Sequence, residues 1–293
     1  MNRPSFTLVE LLIVIFLVAV LLFLLLTGVQ HVRAVADKAH CASRMKDIGM
    51  ALLSHHDVHG AFPCQANVQM ASWMFQILPF VGHGHLHRQG MDWRNDEWSK
   101  TWMTVIPAFL CPSDGRENSG GVYWFQDESV GYSMTNYLGV AGSDSSLLKT
   151  GVWNGMIGDP DHATRIADVA DGLSCTLMVG ERPPGPDLFW GWPFYRVFDN
   201  SLWAVVDKSV TVYLSTDGLN KPGLPVGDPC PDKSSYGPGS LDNYCSVLHF
   251  WSQHRAGANW LLGDGSVRFL KYDAKCIVAM ATVAGGELVQ FPD

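Results

Sequence analysis

Charged side chains and closely spaced cysteine pairs are both scarce in this sequence. Only 16% of the 293 residues are charged, and the formal net charge is −8 at pH 7. A protein that binds phosphates needs a basic face, so this charge balance argues against nucleic acid as a partner. None of the seven cysteines forms a CxxC pair, which argues against a zinc ribbon.

Familiar catalytic motifs are missing as well. The sequence contains neither HExxH nor G-x-S-x-G, the motifs that zinc proteases and many serine hydrolases use. No internal repeat or low-complexity tract is visible. We therefore expect a protein that is not an enzyme and that has no cofactor.

A long apolar run lies close to the N-terminus. From Phe6 to Leu26 it contains only two polar side chains, Thr7 and Glu10. A helix of about 20 such residues crosses the hydrocarbon core of a bilayer, so we predict a single transmembrane helix over residues 6–29. A carboxylate inside such a segment is costly. Glu10 therefore has a specific partner, or else the segment is an ordinary anchor that tolerates one stray glutamate.

Beyond residue 28 the pattern becomes one-sided, and no proline interrupts it. Apolar residues recur every three or four positions, at Cys41, Met45, Ile48 and Leu52. This is the spacing of one helix face. We predict that the helix continues without a break, that residues 30–60 lie along a soluble domain, and that Gly60 and Pro63 end the helix.

The cysteine content fits an oxidising compartment better than a cytosolic one. Cys230 and Cys245 enclose a loop rich in proline, glycine and serine, and we predict that they form a local disulfide worth roughly 3 kcal/mol. Pairing cannot be deduced from spacing alone. The alternative is that all the cysteines are reduced and pack as small apolar side chains.

Two groups of histidines are candidate metal ligands. His55 and His59 are four residues apart, whereas His83, His85 and His87 alternate in the sequence. Alternation would place the second group on one side of a strand. Neither group has cysteine partners or the HExxH motif, so we predict no metal site and expect loop histidines that face solvent.

The C-terminal part contains two apolar segments around Gly-Asp-Gly. This pattern predicts a β-hairpin with Asp264 and Gly265 in its turn. We expect His254 and Asn259 to hydrogen-bond to that turn and attach the hairpin to the body. A catalytic or ligand-binding pair of His254 and Asp264 is the alternative.

Residues 182–240 are rich in proline, glycine and aromatic side chains, including Trp192 and Trp203. They form a possible insertion or variable region. If exposed, the aromatic side chains would provide a platform for sugars or for a partner protein. If buried, they would fill the core of a β-rich domain.

The residues around Phe6 resemble the processing site of type IV prepilins and pseudopilins. The matching stretch begins Ser5-Phe6-Thr7-Leu8-Val9-Glu10, with Ser5 where the family usually has glycine. The resemblance implies that prepilin peptidase removes residues 1–5 as a leader and that Phe6 is then N-methylated. It also implies that Glu10 pairs with the terminal amine of a neighbouring subunit, and such a buried pair is tolerable where either charge alone is not.

Further stretches resemble a family of prepilin-type proteins of unknown function that is often described as solute-binding-like. They are Cys41 to Pro63, Ser72-Trp73 with Leu78-Pro79-Phe80, FLCPSD (109–114), ADGLSCTLMVGE (170–181) and a closing signature of a histidine, nine residues and Asp-Gly, from His254 to Gly265. The chain departs from the family pattern at Cys175 and at Arg255-Ala256.

Together, the helix pattern and the resemblance imply a pilin-like α+β fold, with a long N-terminal helix packed on an antiparallel sheet and residues 61–293 as an extracytoplasmic globular domain. The implied function is that of a structural subunit which joins other pilin-like subunits in a pilus or a type II secretion-like filament. Such a protein is a single-pass membrane protein of the cell envelope, or extracellular once it is in a filament. A membrane-anchored module that binds a carbohydrate or another solute is the alternative.

Overall fold

A computed structural model describes residues 7–64, 72–90, 97–116, 120–125, 128–143, 153–158, 163–186, 188, 192, 203–205, 236–243, 245–246 and 249–287. One helix, α1 (Leu8–His59), comprises 52 residues. Thr7 caps it, because its hydroxyl accepts a hydrogen bond from the Glu10 N–H group. Gly60 ends it with a φ of 76°, a left-handed conformation that suits glycine. The predicted continuous helix and its end at Gly60 are confirmed.

The two halves of α1 have different surroundings. Residues 7–36 are all exposed, and the helix is long and apolar enough to cross a membrane. The predicted apolar face begins at Cys41, and its four members are 0% exposed. The predicted apolar stripe is therefore confirmed, and it attaches the second half of α1 to the rest of the protein.

In the described ranges three short α-helices follow, α2 (Trp73–Gln76), α3 (Gly84–Gly90) and α4 (Glu97–Trp102). The prediction that the alternating histidines lie on a strand is wrong, since His85 and His87 lie in α3 and His83 immediately precedes it. The His87 N–H group donates to the His83 carbonyl oxygen at 3.2 Å, a helical bond. The segment has no β-branched residue to favour a strand.

Strands β1 (Gly120–Phe125) and β2 (Glu128–Ser133) form an antiparallel pair. The main sheet has the order β5-β3-β4-β6-β7. Its strands are β3 (Tyr137–Gly142), β4 (Leu177–Glu181), β5 (Trp203–Val205), β6 (Gly257–Leu262) and β7 (Val267–Lys271). Only β5 pairs in parallel; the other neighbours in this sheet are antiparallel. The predicted α+β fold, a long helix with an antiparallel sheet, is confirmed.

Strands β6 and β7 form the predicted C-terminal hairpin. The Asp264 carboxylate accepts hydrogen bonds from the N–H and hydroxyl groups of Ser266, at 2.8 and 2.6 Å. Gly265 has a φ of 79°, a conformation that glycine adopts without a steric penalty. Turn geometry thus accounts for both Asp264 and Gly265.

Helix α1 packs on β6 and β7, and Gly49 lies where it crosses the hairpin. A Cβ atom at Gly49 would lie 2.6 Å from Leu261 Cδ1 and 3.4 Å from the Gly265 Cα atom. The missing side chain therefore permits the close contact between the helix and the sheet. Through this contact α1 covers the side of the sheet that carries the site described below.

The aromatic side chain of Trp192 belongs to the core. It is 0% exposed, its indole N–H group donates to the Thr104 carbonyl oxygen at 3.0 Å, and its ring stacks on Phe75. The interpretation that the aromatic side chains of this region fill the core is therefore confirmed for Trp192. Most of residues 182–240, including the side chain of Trp203, lies outside the part of the chain that the structure describes.

Candidate functional site

A disulfide between Cys41 and Cys111 joins α1 to the globular body. Both cysteines are buried. Cys41 begins the buried face of α1, and Cys111 follows the 3-10 turn Pro107–Phe109. The Tyr137 hydroxyl donates to the Cys41 carbonyl oxygen at 3.3 Å, so the same part of the helix is also held by the sheet.

Glu181 and His254 lie beside this disulfide. Glu181 is the last residue of β4 and is 1% exposed. The Nε2 atom of His254 is 3.2 Å from Glu181 Oε1 and 3.7 Å from Cys111 Sγ. The ligand atoms of Cys41, Cys111, Glu181 and His254 all lie within 4.8 Å of one another, and all four residues are buried. We call them the Cys₂-Glu-His cluster.

Asn259, on β6, orients the Glu181 carboxylate. Its backbone N–H donates to Oε2 at 2.7 Å, and its side-chain amide donates to Oε1 at 3.0 Å. These bonds stabilise a carboxylate that would otherwise be costly to bury. On the other side of the cluster, His254 Nδ1 lies 3.4 Å from the Ser113 hydroxyl. Both polar members of the cluster thus have partners that hold their orientation.

The predicted contact of His254 and Asn259 with the hairpin turn is wrong. Both residues contact Glu181 instead. His254 precedes β6, whereas Asp264 follows it, and a six-residue strand is roughly 20 Å long. His254 and Asp264 therefore lie at opposite ends of one strand and do not form a pair.

A second buried network positions Cys111. Asp114, which is 1% exposed, forms an ion pair with Arg116 through two bonds of 2.8 Å. The Asn136 amide donates to Asp114 at 2.8 Å, and its carbonyl oxygen accepts from the Cys111 N–H at 2.8 Å. Arg116 also donates to two carbonyl oxygens after β4. The network therefore links the Cys111 turn to the segment that follows Glu181.

An open cleft of about 510 Å³ lies next to His254. Asp242, Trp251, Ser252 and Tyr272 also line it. Its size and its mixture of polar and aromatic groups fit a small ligand. Burial raises the pKa of the Tyr272 hydroxyl, so the phenol stays neutral, and it donates a hydrogen bond to the Ser252 carbonyl oxygen at 3.1 Å.

The expectation that the first histidine group faces solvent is wrong for His55, which is 8% exposed. Its Nδ1–H group donates to the Ala61 carbonyl oxygen at 3.0 Å, and its ring centre lies 4.4 Å from that of His59. Burial lowers the pKa of His55 to about 4, with smaller contributions from neighbouring histidines. Among the described residues, only the Cys₂-Glu-His cluster brings together three or more potential metal ligands.

The remaining predicted site residues lie partly outside the described chain. Ser5 and Phe6 are outside it, while Glu10 lies in the first turn of α1. Cys245 is disulfide-bonded, but Cys230 is outside the described residues, so their pairing stays a prediction. Cys175 and Cys276 are free thiols.

The sequence pattern did not single out Glu181 or the pairing of Cys41 with Cys111. Cys41 fits the apolar face of α1, and Glu181 ends a buried apolar strand, where a carboxylate is unusual. A carboxylate at the end of an apolar strand is therefore the sequence feature that could have identified Glu181 as a site residue. Cys111, Glu181 and His254 each belong to one of the stretches that carry the family resemblance.

No curated protein and no solved structure matches this chain. A family model does match residues 30–274; it is labelled SBP_bac_10 and described as "Protein of unknown function (DUF1559)". The matched span includes the whole Cys₂-Glu-His cluster and the segment from His254 to Gly265. Since the match covers most of the chain, the protein belongs to this family of unknown function, DUF1559.

Proposed function

We propose that this protein is a membrane-anchored, pilin-like subunit that assembles through α1 into a filament of the cell envelope. The observation that carries the proposal is the first half of α1. Residues 7–36 are all exposed, and large apolar side chains dominate them from Leu8 to Leu26. A soluble monomer rarely exposes so large an apolar surface, so lipid or other apolar helices cover it.

The connection between the anchor and the body favours a filament subunit over a domain on a flexible tether. Helix α1 continues from the exposed half into the core without a break. The Cys41–Cys111 disulfide then attaches it covalently to the body. Because α1 is rigidly joined to the body, the packing of α1 against the α1 helices of neighbouring subunits also fixes the position of each globular domain. That property is what a regular filament requires.

Glu10 supplies the polar contact of the proposed assembly. Its carboxylate accepts hydrogen bonds from the N–H and hydroxyl groups of Thr7, both at 2.9 Å. These donors are neutral and do not balance the negative charge. Cleavage by prepilin peptidase before Phe6, followed by N-methylation, creates an amine close to this depth in the membrane. The amine of a neighbouring subunit then neutralises Glu10.

The decisive test is Glu10→Gln expressed in the native host. We expect export and folding as in the wild type, but at least a tenfold loss of the protein from sheared filaments, because glutamine cannot pair with an amine as an ion. Glu287→Gln, at an exposed position of the body, is the matched control. Normal incorporation of Glu10→Gln would contradict the proposal, and so would a native protein that still begins at Met1 by mass spectrometry.

A second candidate function is the binding of a small polar solute in the cleft beside His254. The cleft has a suitable volume and contains Trp251 and Tyr272, and the label of the family model also refers to solute binding. Titration of the full chain in detergent with mono- and oligosaccharides would change its tryptophan fluorescence if they bind there. Trp251→Phe would remove that change, whereas a flat titration of the wild type would count against carbohydrate binding.

A further inference from the structure

We propose that the Cys₂-Glu-His cluster is a zinc site in the reduced form of the protein. A dithiol opens the Cys41–Cys111 disulfide, and Zn²⁺ is then bound by both sulfurs, the Glu181 carboxylate and His254 Nε2. The site links α1 to the body in place of the covalent bond. This inference does not rest on the filament proposal, since its argument uses only the four buried residues of the cluster.

The spacing of the ligand atoms suits a tetrahedral ion. Zinc bonds of about 2.0–2.3 Å to nitrogen, oxygen and sulfur imply distances of about 3.3–3.8 Å between ligand atoms. His254 Nε2 is already 3.2 Å from Glu181 Oε1 and 3.7 Å from Cys111 Sγ. All four ligand atoms lie within 4.8 Å of one another, so small side-chain movements would bring the remaining pairs to tetrahedral separations. The two sulfur atoms must move apart, and reduction removes the bond that holds them together.

The charge balance of the buried site also permits the exchange. A disulfide is neutral, and a zinc ion with two thiolates is neutral in sum. The Glu181 carboxylate is present in both states and retains its two bonds from Asn259. Replacing the disulfide by zinc therefore adds no net charge to the interior, where an uncompensated charge would be costly.

The groups around the cluster are those that orient zinc ligands in proteins. A histidine ligand usually has a hydrogen-bond partner at its second ring nitrogen, and a carboxylate ligand is usually held by donors. His254 Nδ1 lies 3.4 Å from the Ser113 hydroxyl, and Asn259 holds Glu181. His254 also lines the open cleft, so an ion can reach the site from solvent without passing through the core.

The redox step balances through thiol–disulfide exchange. A thiolate of the dithiol attacks one sulfur of the Cys41–Cys111 bond and forms a mixed disulfide. The second thiol of the reagent then displaces that sulfur. Two electrons pass from the dithiol to the protein, the reagent becomes a disulfide, and Cys41 and Cys111 become thiols. Zinc binding displaces the two thiol protons. The proton that His254 Nε2 donates to Glu181 Oε1 moves to Nδ1, which faces the Ser113 hydroxyl, so that Nε2 is free to bind the metal.

The first test measures metal content in the full chain in detergent. The protein is reduced with a phosphine that binds zinc weakly, incubated with Zn²⁺ and passed through a desalting column. We expect one zinc ion per chain after reduction and at least tenfold less in the oxidised protein. Co²⁺ in place of zinc should give thiolate charge-transfer bands and the visible bands of a four-coordinate ion.

Variants separate this site from adventitious binding. Cys41→Ser combined with Cys111→Ser should abolish the cobalt spectrum, whereas Cys276→Ser, which removes a free thiol, should leave it unchanged. His254→Gln should lower the zinc affinity at least tenfold and shift the visible cobalt bands, because a nitrogen ligand is lost.

Two outcomes would overturn the inference. One is a cobalt–thiolate spectrum that persists in the double cysteine variant. The other is a reduced wild-type chain that takes up no zinc. If reduction alone unfolds the chain, the inference is also overturned when added zinc fails to restore the near-ultraviolet circular dichroism of the folded protein.

Discussion

At the scale of single residues, the stability of the protein depends on histidines that the fold holds neutral. His55 is 8% exposed, and burial lowers its pKa from 6.5 to about 4. Between these pH values the unfolded chain binds a proton at this position and the folded chain does not, so the free energy of unfolding falls as the pH falls. At 1.36 kcal/mol per pKa unit the loss is at most about 3 kcal/mol by pH 4.

Urea denaturation between pH 7 and pH 4 measures this contribution. We expect the wild type to lose stability as the pH decreases and His55→Gln to lose less. Burial also lowers the pKa values of His83, His87 and His249, so the difference between the two proteins isolates His55. His85→Gln, at an exposed position, should follow the wild type. Equal slopes for the wild type and His55→Gln would contradict this assignment.

At the scale of secondary-structure elements, the C-terminal hairpin depends on the backbone conformation of its turn. Gly265 has a φ of 79°, and a Cβ atom there would lie 2.9 Å from Leu53 Cδ1 on α1. A side chain in the left-handed region costs about 1–2 kcal/mol, and the contact with Leu53 adds to this cost. We therefore expect Gly265→Ala to lower the free energy of unfolding by at least about 1 kcal/mol.

Gly115 provides the matched control, and urea denaturation measures the free energy of unfolding of both variants. At Gly115 a Cβ atom would meet no atom within 4 Å, so Gly115→Ala should change the stability by no more than about 0.5 kcal/mol. If Gly265→Ala and Gly115→Ala were equally stable, the left-handed conformation of Gly265 would not determine the stability of the hairpin turn.

The elements that could be predicted are those whose pattern is local. The uninterrupted α1, its buried face from Cys41 and the hairpin around Asp264 follow from spacing and turn residues within one segment. The alternation of His83, His85 and His87 led to the wrong prediction of a strand because only three residues supported it. The segment is helical instead, with a hydrogen bond from the His87 N–H group to the His83 carbonyl oxygen. Short segments give too few repeats to distinguish the two periods.

At the scale of the whole molecule, the candidate site could not be predicted because its members come from four distant segments. Cys41 and Cys111 are 70 residues apart, and Glu181 and His254 are 73 apart. Each is compatible with its local pattern, whether as a core cysteine, a turn residue or the end of a strand. The four come together because α1 packs both on β6 and on the 3-10 turn before Cys111, with β4 beside β6. The stretches that carry the family resemblance contain Cys111, Glu181 and His254, and the fold determines which of their atoms meet.

The division of α1 into an exposed and a buried half has a consequence for the whole protein. The helix carbonyl of Lys38 lies within 3.4 Å of the Asn259 amide nitrogen, and complete burial begins at Cys41. Removing residues 1–30 therefore takes away most of the exposed apolar surface of α1 and leaves the contacts with the body. We expect residues 31–293 to be soluble without detergent and to unfold within about 0.5 kcal/mol of the full chain.

The full chain should remain in the membrane fraction after alkaline carbonate extraction. Leu17→Arg should release part of it, because an arginine at the centre of a spanning helix costs about 3 kcal/mol on insertion scales. Leu17→Ile is the control and should stay in the membrane. If residues 31–293 were insoluble or unfolded, the first half of α1 would be part of the folding unit. Its exposure in a single chain would then mean that the globular body requires neighbouring copies to fold.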